Sequence, residues 1–66
     1  MMLRINGSEE EILDAKNLAE LVSKRNLCKE KIIIEYNLQI VMQEKWEKTL
    51  LKENDAIEIV SFVGGG

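Results

Sequence analysis

Apolar and polar residues alternate at the start of the chain. In "MLRIN", Leu3 and Ile5 fall on one side of an extended segment and Arg4 falls on the other, which is the period of a strand with one buried face. Asn6-Gly7 follows directly, and this pair is the strongest short hairpin signal because both residues tolerate positive φ. The next stretch, "EEEIL", then predicts the returning strand, although glutamate is a poor strand former.

A helical period begins after Asn17. The apolar residues of this stretch are spaced i, i+3 and i+4: Leu18, Leu21 and Val22, which gives one apolar stripe. Asn17 is a good N-cap, and Glu20 sits three residues later, as in a capping box with Asn in place of Ser. Lys24 and Arg25 complement the helix dipole in the last turn. We expect a helix over residues 17–26.

The stretch "KIIIEYN" is the most strand-like of the chain. Its β-branched residues favour a strand in which Ile32, Ile34 and Tyr36 share one face and Ile33 and Glu35 share the other. The Tyr36 hydroxyl is expected to reach the rim of the core. A short turn at residues 37–38 then leads to a brief strand, "QIVM".

The stretch "QEKWEKTLL" predicts a short helical turn that places Trp46 inward. In the polar turn "KENDA", Asn54 or Asp55 can take a left-handed conformation. The segment "IEIVSFV" is a clear strand with two faces: Ile57, Ile59 and Ser61 on one, and Glu58, Val60 and Phe62 on the other.

These elements predict an α+β roll in which one main helix covers one face of a mixed four- to five-stranded sheet. The first and last strands are both strongly apolar and are natural central neighbours. Residues 1–63 would form this domain, and residues 64–66 would be a flexible glycine tail.

Composition narrows the classes of function. The 66 residues are 45% hydrophobic and 32% charged, with one cysteine and no histidine. An internal disulfide is therefore impossible, and a usual zinc site is excluded. A net charge of −3 argues against nucleic-acid binding. The chain has no apolar run of membrane-spanning length and an acidic start unlike a signal peptide, so we expect a cytoplasmic protein.

The sequence ends in three glycines, and only Gly7 occurs elsewhere. Glycine brings no side chain to bury, so such a run is often an inert end or a remnant of a tag. Here the glycines follow directly on a strand with no linker. That position favours a tail projected from a rigid base.

The order of elements, together with this glycine end, resembles the ubiquitin-like β-grasp family, and within it the ThiS-type sulfur carriers of bacterial thiamine biosynthesis. The resemblance rests on five stretches: "RING" at 4–7, "IIIEYN" at 32–37, "IVMQEKW" at 40–46, "NDAIEIVSF" at 54–62 and "VGGG" at 63–66. Three turns depart from the family pattern. This chain has Asn37-Leu38 where the family usually has Asn-Gly, Met42-Gln43 where many members have Pro-Arg, and Asn54-Asp55 where the family has Gly-Asp.

The resemblance implies a carrier rather than an enzyme. The carboxylate of Gly66 would be adenylated by a ThiF-like E1-type enzyme that uses ATP, and then converted to a thiocarboxylate. Gly64 and Gly65 would let the tail thread into that partner as bare backbone. Sulfur would come from a donor such as a cysteine desulfurase and pass to a ThiG-like thiazole synthase. No bound cofactor or metal is implied.

Ile33, Val60 and Phe62 are expected on the open face of the sheet, where an exposed apolar patch beside the tail suits partner docking. The alternative is ordinary exposure of apolar residues on a small sheet. Cys28 could carry a persulfide, but no second cysteine or histidine accompanies it, which favours a plain loop thiol. The acidic run Glu9–Glu11 is most simply a solvated strand edge.

Two other functions stay open. One is that of the small subunit of molybdopterin synthase. The resemblance extends to that group, which delivers sulfur by the same tail chemistry, although its members are usually longer than this chain. The other is a non-covalent binding module with an inert tail. A catalyst is disfavoured because the sequence holds no paired carboxylates, no nucleophile–base pair and no phosphate loop.

Overall fold

The computed structural model describes residues 1–62, so the expected domain boundary at residue 63 and the glycine tail lie outside it. Within that range, five strands, one α-helix and two 3₁₀ segments follow one another. The strands are β1 (Met2–Ile5), β2 (Ser8–Glu11), β3 (Ile32–Tyr36), β4 (Gln39–Val41) and β5 (Ala56–Ser61); the helix is α1 (Leu18–Lys24); the 3₁₀ segments are Lys29–Lys31 and Gln43–Lys48. The predicted α+β sheet with one main helix is confirmed.

The strands form one mixed sheet in the order β2-β1-β5-β3-β4. β1 and β5 are parallel neighbours, with Ile5 opposite Ile57, and the other three pairings are antiparallel. The expectation that the first and last strands lie together in the sheet is therefore confirmed. β5 is the middle strand, hydrogen-bonded on both sides.

The core lies between the sheet and α1. Its most deeply buried side chains come from both layers: Leu3, Ile5, Leu18, Leu21, Ile34 and Ile57. Trp46 points inward from the second 3₁₀ segment, as expected, and its indole N–H donates to the Val41 carbonyl at 2.9 Å. That bond satisfies the one polar atom of the ring, which lets the rest of it be buried.

The helix is shorter than the predicted 17–26. Its start agrees, because the Asn17 side chain accepts the Glu20 N–H at 2.8 Å as an N-cap does. The capping box is incomplete, because the Glu20 carboxylate accepts a hydrogen bond from the Lys16 N–H and not from the Asn17 N–H. Its end comes at Lys24 because Asn26 adopts φ 57°. Asn26 N–H then donates to the Ser23 carbonyl and Leu27 N–H to the Val22 carbonyl, which is the Schellman pattern of a helix stop.

Two turn asparagines reach out to the middle strand. Asn6, in the β1–β2 turn, accepts the Ile59 N–H on Oδ1 at 2.7 Å and donates Nδ2 to the Ile59 carbonyl at 3.3 Å. Asn37, in the β3–β4 turn, accepts the Ala56 N–H on Oδ1 at 2.9 Å. Each carboxamide forms the hydrogen bonds that a further residue of β1 or β3 would form. β5 is therefore bonded beyond the last residue of the neighbouring strand on each side.

Both hairpin turns have two consecutive residues at positive φ. In the first, Asn6 and Gly7 lie at 51° and 83°, as the Asn-Gly signal predicts; in the second, Asn37 and Leu38 lie at 50° and 72°. Leucine is strained in this region because its Cβ crowds the following carbonyl. Asn54, at φ 70°, is the left-handed residue of the third turn, as one of the two expected alternatives.

Candidate functional site

The strand that precedes the glycines is held firmly up to its end. β5 pairs with β3 as far as Ser61, and the next residue, Phe62, still donates its N–H to the Lys31 carbonyl at 2.9 Å. The first residue outside the described range therefore follows a paired strand without a linker. Gly64, Gly65 and Gly66 are not described, so their expected roles stay predictions.

The face of the sheet opposite α1 carries the expected apolar residues. Ile33 and Val60 lie directly opposite each other on β3 and β5, and they are 44% and 55% exposed, while Phe62 is 46% exposed. The structure thus brings the three residues of the expected docking patch to the surface around the end of β5. Their exposure fits docking, but their role in binding stays a prediction.

The sequence analysis missed one member of this surface. Ile40 lies opposite Glu35 in the β3–β4 pairing and is 63% exposed. We call Ile33, Ile40, Val60 and Phe62 the apolar patch. A signal for Ile40 was present, because a two-residue turn at 37–38 fixes the register of the hairpin and so places Ile40 on the face of Ile33.

Two shallow concavities are lined in part by residues of the apolar patch. One of about 320 Å³ is lined by Ile33, Glu35, Ile40, Glu58 and Val60. The other, of about 270 Å³, lies between β3, β4 and the second 3₁₀ segment, and exposed Met42 and Gln43 form part of its wall. The departure from the family pattern at Met42-Gln43 therefore falls beside the patch.

Asp55 forms the polar centre at the opposite end of β5. It is buried and accepts hydrogen bonds from the Tyr36 hydroxyl, from Lys52 N–H at 2.7 Å and from Asn37 Nδ2 at 3.2 Å. Burial alone would raise the pKa of Asp55, but these hydrogen bonds outweigh it and lower the pKa. Burial, followed by the hydrogen bond to Asp55, raises the pKa of Tyr36.

This cluster fixes the turn that leads into β5 and lies at the Ala56 end of the strand, away from Ser61 and Phe62. The Tyr36 hydroxyl reaches the rim of the core, as expected from the sequence. The cluster is a stabilising feature of the turn before β5.

Cys28 lies in the loop before the first 3₁₀ segment and is exposed. Its thiol contacts Glu30 Oε1 at 3.5 Å. Nearby Lys24 and Arg25 are engaged elsewhere, in ion pairs with Asp14 and Glu10. A plain loop thiol is what this geometry supports.

The glutamates of β2 each have a cation from the chain itself. Glu9 pairs with Arg4, Glu10 with Arg25 and Glu11 with the N-terminal amine, at 3.2, 2.9 and 2.8 Å. The hydrogen bond from Arg25 lowers the pKa of Glu10. The acidic run is thus a solvated sheet edge with its charge balanced locally, as the simpler reading expected.

Residues 1–62 contain no helix long and apolar enough to cross a bilayer. Over the same residues, no group of three Cys, Asp or Glu side chains is placed to hold a metal ion.

Comparison with known proteins shows that the chain is similar to a family of small proteins. Residues 3–66 match the model of the ThiS family. The chain is 35% identical over 66 residues to the sulfur carrier protein ThiS of Bacillus subtilis, with 98% of this chain and all of that protein covered. The crystal structure of the thiamine biosynthesis protein ThiS from Geobacter metallireducens is similar with a TM-score of 0.83 at 32% identity, and both chains are covered completely.

A larger protein also contains a similar unit. The whole chain is 32% identical over 66 residues to part of the thiazole synthase of Paramagnetospirillum magneticum, and it spans only 20% of that protein. A unit of this kind therefore occurs within a thiazole synthase.

Proposed function

Because this chain belongs to the ThiS family of sulfur carriers in thiamine biosynthesis, we propose that it carries sulfur as a thiocarboxylate on Gly66 and delivers it for thiazole formation. The observation that carries this proposal is the firm pairing of the strand that the glycines follow in the sequence. This middle strand of the sheet is bonded to β1 and the Asn6 side chain as far as Ile59 and to β3 and Lys31 as far as Phe62. We expect a firmly paired strand end of this kind to hold a short glycine segment out toward a partner.

The chemistry needs activation because a carboxylate is a poor electrophile. The Gly66 carboxylate attacks the α-phosphorus of ATP, pyrophosphate leaves, and a mixed anhydride with AMP forms. A persulfide sulfur of the donor then attacks the carbonyl carbon, and AMP departs with its bonding electron pair, which leaves an acyl disulfide. A thiol reductant supplies two electrons to cleave the S–S bond, which releases the thiocarboxylate on the carrier and a thiol on the donor. The carrier supplies the reacting carbon, while the partner binds ATP and performs the catalysis.

Three partners follow from this sequence of steps: a ThiF-like adenylating enzyme, a sulfur donor such as a cysteine desulfurase, and a thiazole synthase. The similarity of the whole chain to part of thiazole synthases from two bacteria supports the last of these. Glycine suits all three encounters, because a segment without Cβ atoms can enter a narrow channel as extended backbone. The apolar patch beside the end of β5 would bind the partner's surface.

Intact mass spectrometry tests the proposal directly. The wild-type protein is incubated with ATP, the adenylating enzyme, a cysteine desulfurase with cysteine, and a thiol reductant, and its mass should change by the replacement of one oxygen by sulfur. Fragmentation should place the sulfur on Gly66. A chain lacking Gly65 and Gly66 should stay unmodified, and it should fail to restore growth to cells that lack the carrier and depend on thiamine synthesis.

Cys28→Ser is the matched control, because Cys28 is the other place where the chain could hold sulfur. This variant should be loaded as well as the wild type. Sulfur found on Cys28, or growth supported by the shortened chain, would contradict the proposal.

A further inference from the structure

The open face of the sheet carries two glutamates that oppose each other. Glu35 on β3 and Glu58 on β5 are direct partners in the antiparallel register. Side chains so placed have Cβ atoms roughly 4.5–5.5 Å apart, and like charges at this position destabilise the sheet. The fold therefore keeps an arrangement that works against its own stability.

Nothing in residues 1–62 neutralises this pair. Neither Glu35 nor Glu58 takes part in an ion pair in that range, and Arg4, on the neighbouring strand, is directed to Glu9. The three glutamates of the β2 edge, in contrast, each have a cation of their own. The acidic charge of the β2 edge is thus paired with cations of the chain, whereas that of Glu35 and Glu58 on the open face is not paired within the described residues.

The surroundings of the two carboxylates are apolar. Ile33, Ile40 and Val60 line the same concavity of about 320 Å³ as the two glutamates. A partner that covers these residues also removes water from the carboxylates. Covering a charge without a counter-charge is strongly unfavourable, so a partner that fits this surface has to bring a cation.

We propose that a thiazole synthase docks on this face with an arginine or lysine side chain placed between Glu35 and Glu58, and with apolar side chains on the apolar patch. This proposal rests on the proposed function and adds the chemistry of recognition. Arginine suits the position best, because its planar fork can donate to two carboxylates at once. A strand rises about 3.3 Å per residue, so a cation beside Glu58 lies roughly 13 Å from Phe62. The same distance should separate this cation of the thiazole synthase from the part of that enzyme that contacts Phe62.

A second copy of this chain fits the face less well, because it brings the same unbalanced carboxylates and the same apolar centre. The thiazole synthase has independent support, since a unit similar to this whole chain forms a fifth of two such proteins. Dimerisation through this face is nonetheless one outcome of the test.

The experiment compares two double variants that remove the same charge. Glu35→Gln with Glu58→Gln changes the acidic pair, and Glu44→Gln with Glu47→Gln changes two exposed glutamates of the second 3₁₀ segment. Each is titrated calorimetrically into the thiazole synthase of the same organism at low and at high salt, and each is melted alone.

We expect the first variant to bind about tenfold more weakly at low salt and to lose much of the salt dependence of binding. Its melting temperature should equal or exceed that of the wild type, because the repulsion is gone. The control should bind within about twofold of the wild type. Loss of binding without loss of stability is a result that a merely structural role cannot give.

Equal or tighter binding of the first variant would overturn the proposal, as would a wild-type chain that does not bind thiazole synthase. Dimerisation of the wild type in sedimentation that becomes stronger in the first variant, because the repulsion between the two copies is gone, would assign the face to a second copy and overturn the proposal as well. Sulfur loading of the same samples separates the two proposals. If the wild type is loaded and the first variant binds normally, only the acidic-pair proposal fails; if the wild type is never loaded, the carrier proposal fails.

Discussion

Replacing Asn6 by glycine tests whether its carboxamide holds the end of β5. Glycine keeps the positive φ of 51° without strain and removes both hydrogen bonds to Ile59. A net contribution of about 0.5–1 kcal/mol for each partly solvated bond predicts a loss of roughly 1–2 kcal/mol in the free energy of unfolding. Glycine's extra freedom in the unfolded chain adds about 0.5 kcal/mol or more.

Asn26→Gly is the matched control. Asn26 has nearly the same backbone conformation, φ 57°, but its side chain forms no hydrogen bond within residues 1–62. This variant therefore bears the entropy cost of glycine alone, offset by relief of the left-handed strain, and its stability should stay within about 0.5 kcal/mol of the wild type. The difference between the two variants isolates the carboxamide bonds.

Asn6→Asp refines the test because it keeps the oxygen that accepts the Ile59 N–H and loses only the donor to the Ile59 carbonyl. Its stability should lie between the wild type and Asn6→Gly. Urea titration gives the free energy of unfolding of the wild type and of each of the three variants. A loss of 1 kcal/mol should lower the melting temperature by about 4–8 °C in a domain of this size.

Hydrogen exchange adds the local readout. The Ile59 amide should exchange faster in Asn6→Gly and stay protected in Asn6→Asp. If Asn6→Gly is as stable as Asn26→Gly, or if Ile59 stays equally protected in both, the idea that this asparagine extends the pairing of β5 is wrong.

Four further changes test other parts of the structure. Leu38→Gly should stabilise the fold by about 0.5–1 kcal/mol in urea titration, because Leu38 is strained at φ 72° and 87% exposed, so relief of strain exceeds the entropy cost; a loss of stability would contradict this. The lowered pKa of Asp55 stabilises the fold above the ordinary value of 3.8, and that stabilisation should disappear as the pH falls through the lower folded value. Asp55→Asn should flatten this part of the pH dependence in thermal melts, and an unchanged acid transition would exclude Asp55 as its source. Phe62→Asp should weaken partner binding about tenfold in calorimetry and shift the melting temperature little, because Phe62 is partly exposed; unchanged sulfur loading would remove it from the docking surface. Cys28→Ser should leave both stability and loading unchanged, since the thiol is exposed in a loop.

Local sequence signals were sufficient for most of the fold. Alternation identified β1 and β5, β-branched residues identified β3, and the Asn-Gly pair located the first hairpin. The helix was predicted two residues too long at its C-terminal end, because Lys24 and Arg25 fit a last turn while the stop signal lay in Asn26 followed by an apolar residue. The helix stops because Asn26 takes a left-handed backbone conformation, and the basic residues before it carry no information about that conformation.

Relations between strands were harder to predict. The faces of Glu35 and Glu58 were each predicted correctly, but their direct opposition depends on the register of two strands that are distant in sequence. In the same way, the asparagines were interpreted as turn residues, since positive φ is a local property. Their bonds to β5 arise only when the strands come together. The glycine tail was identified by family resemblance and by position, and composition alone would have left it ambiguous.

The two strands that lie furthest apart along the described chain, β1 and β5, are neighbours in the sheet. Contacts of such long sequence separation form late in folding, so a nascent chain still lacking residues 56–61 would hold two separate hairpins and an uncovered helix. The complete sheet therefore forms only once β5 is present. Translation products interrupted before β5 would remain unfolded and open to proteases, and would not compete with folded carriers for the same enzymes.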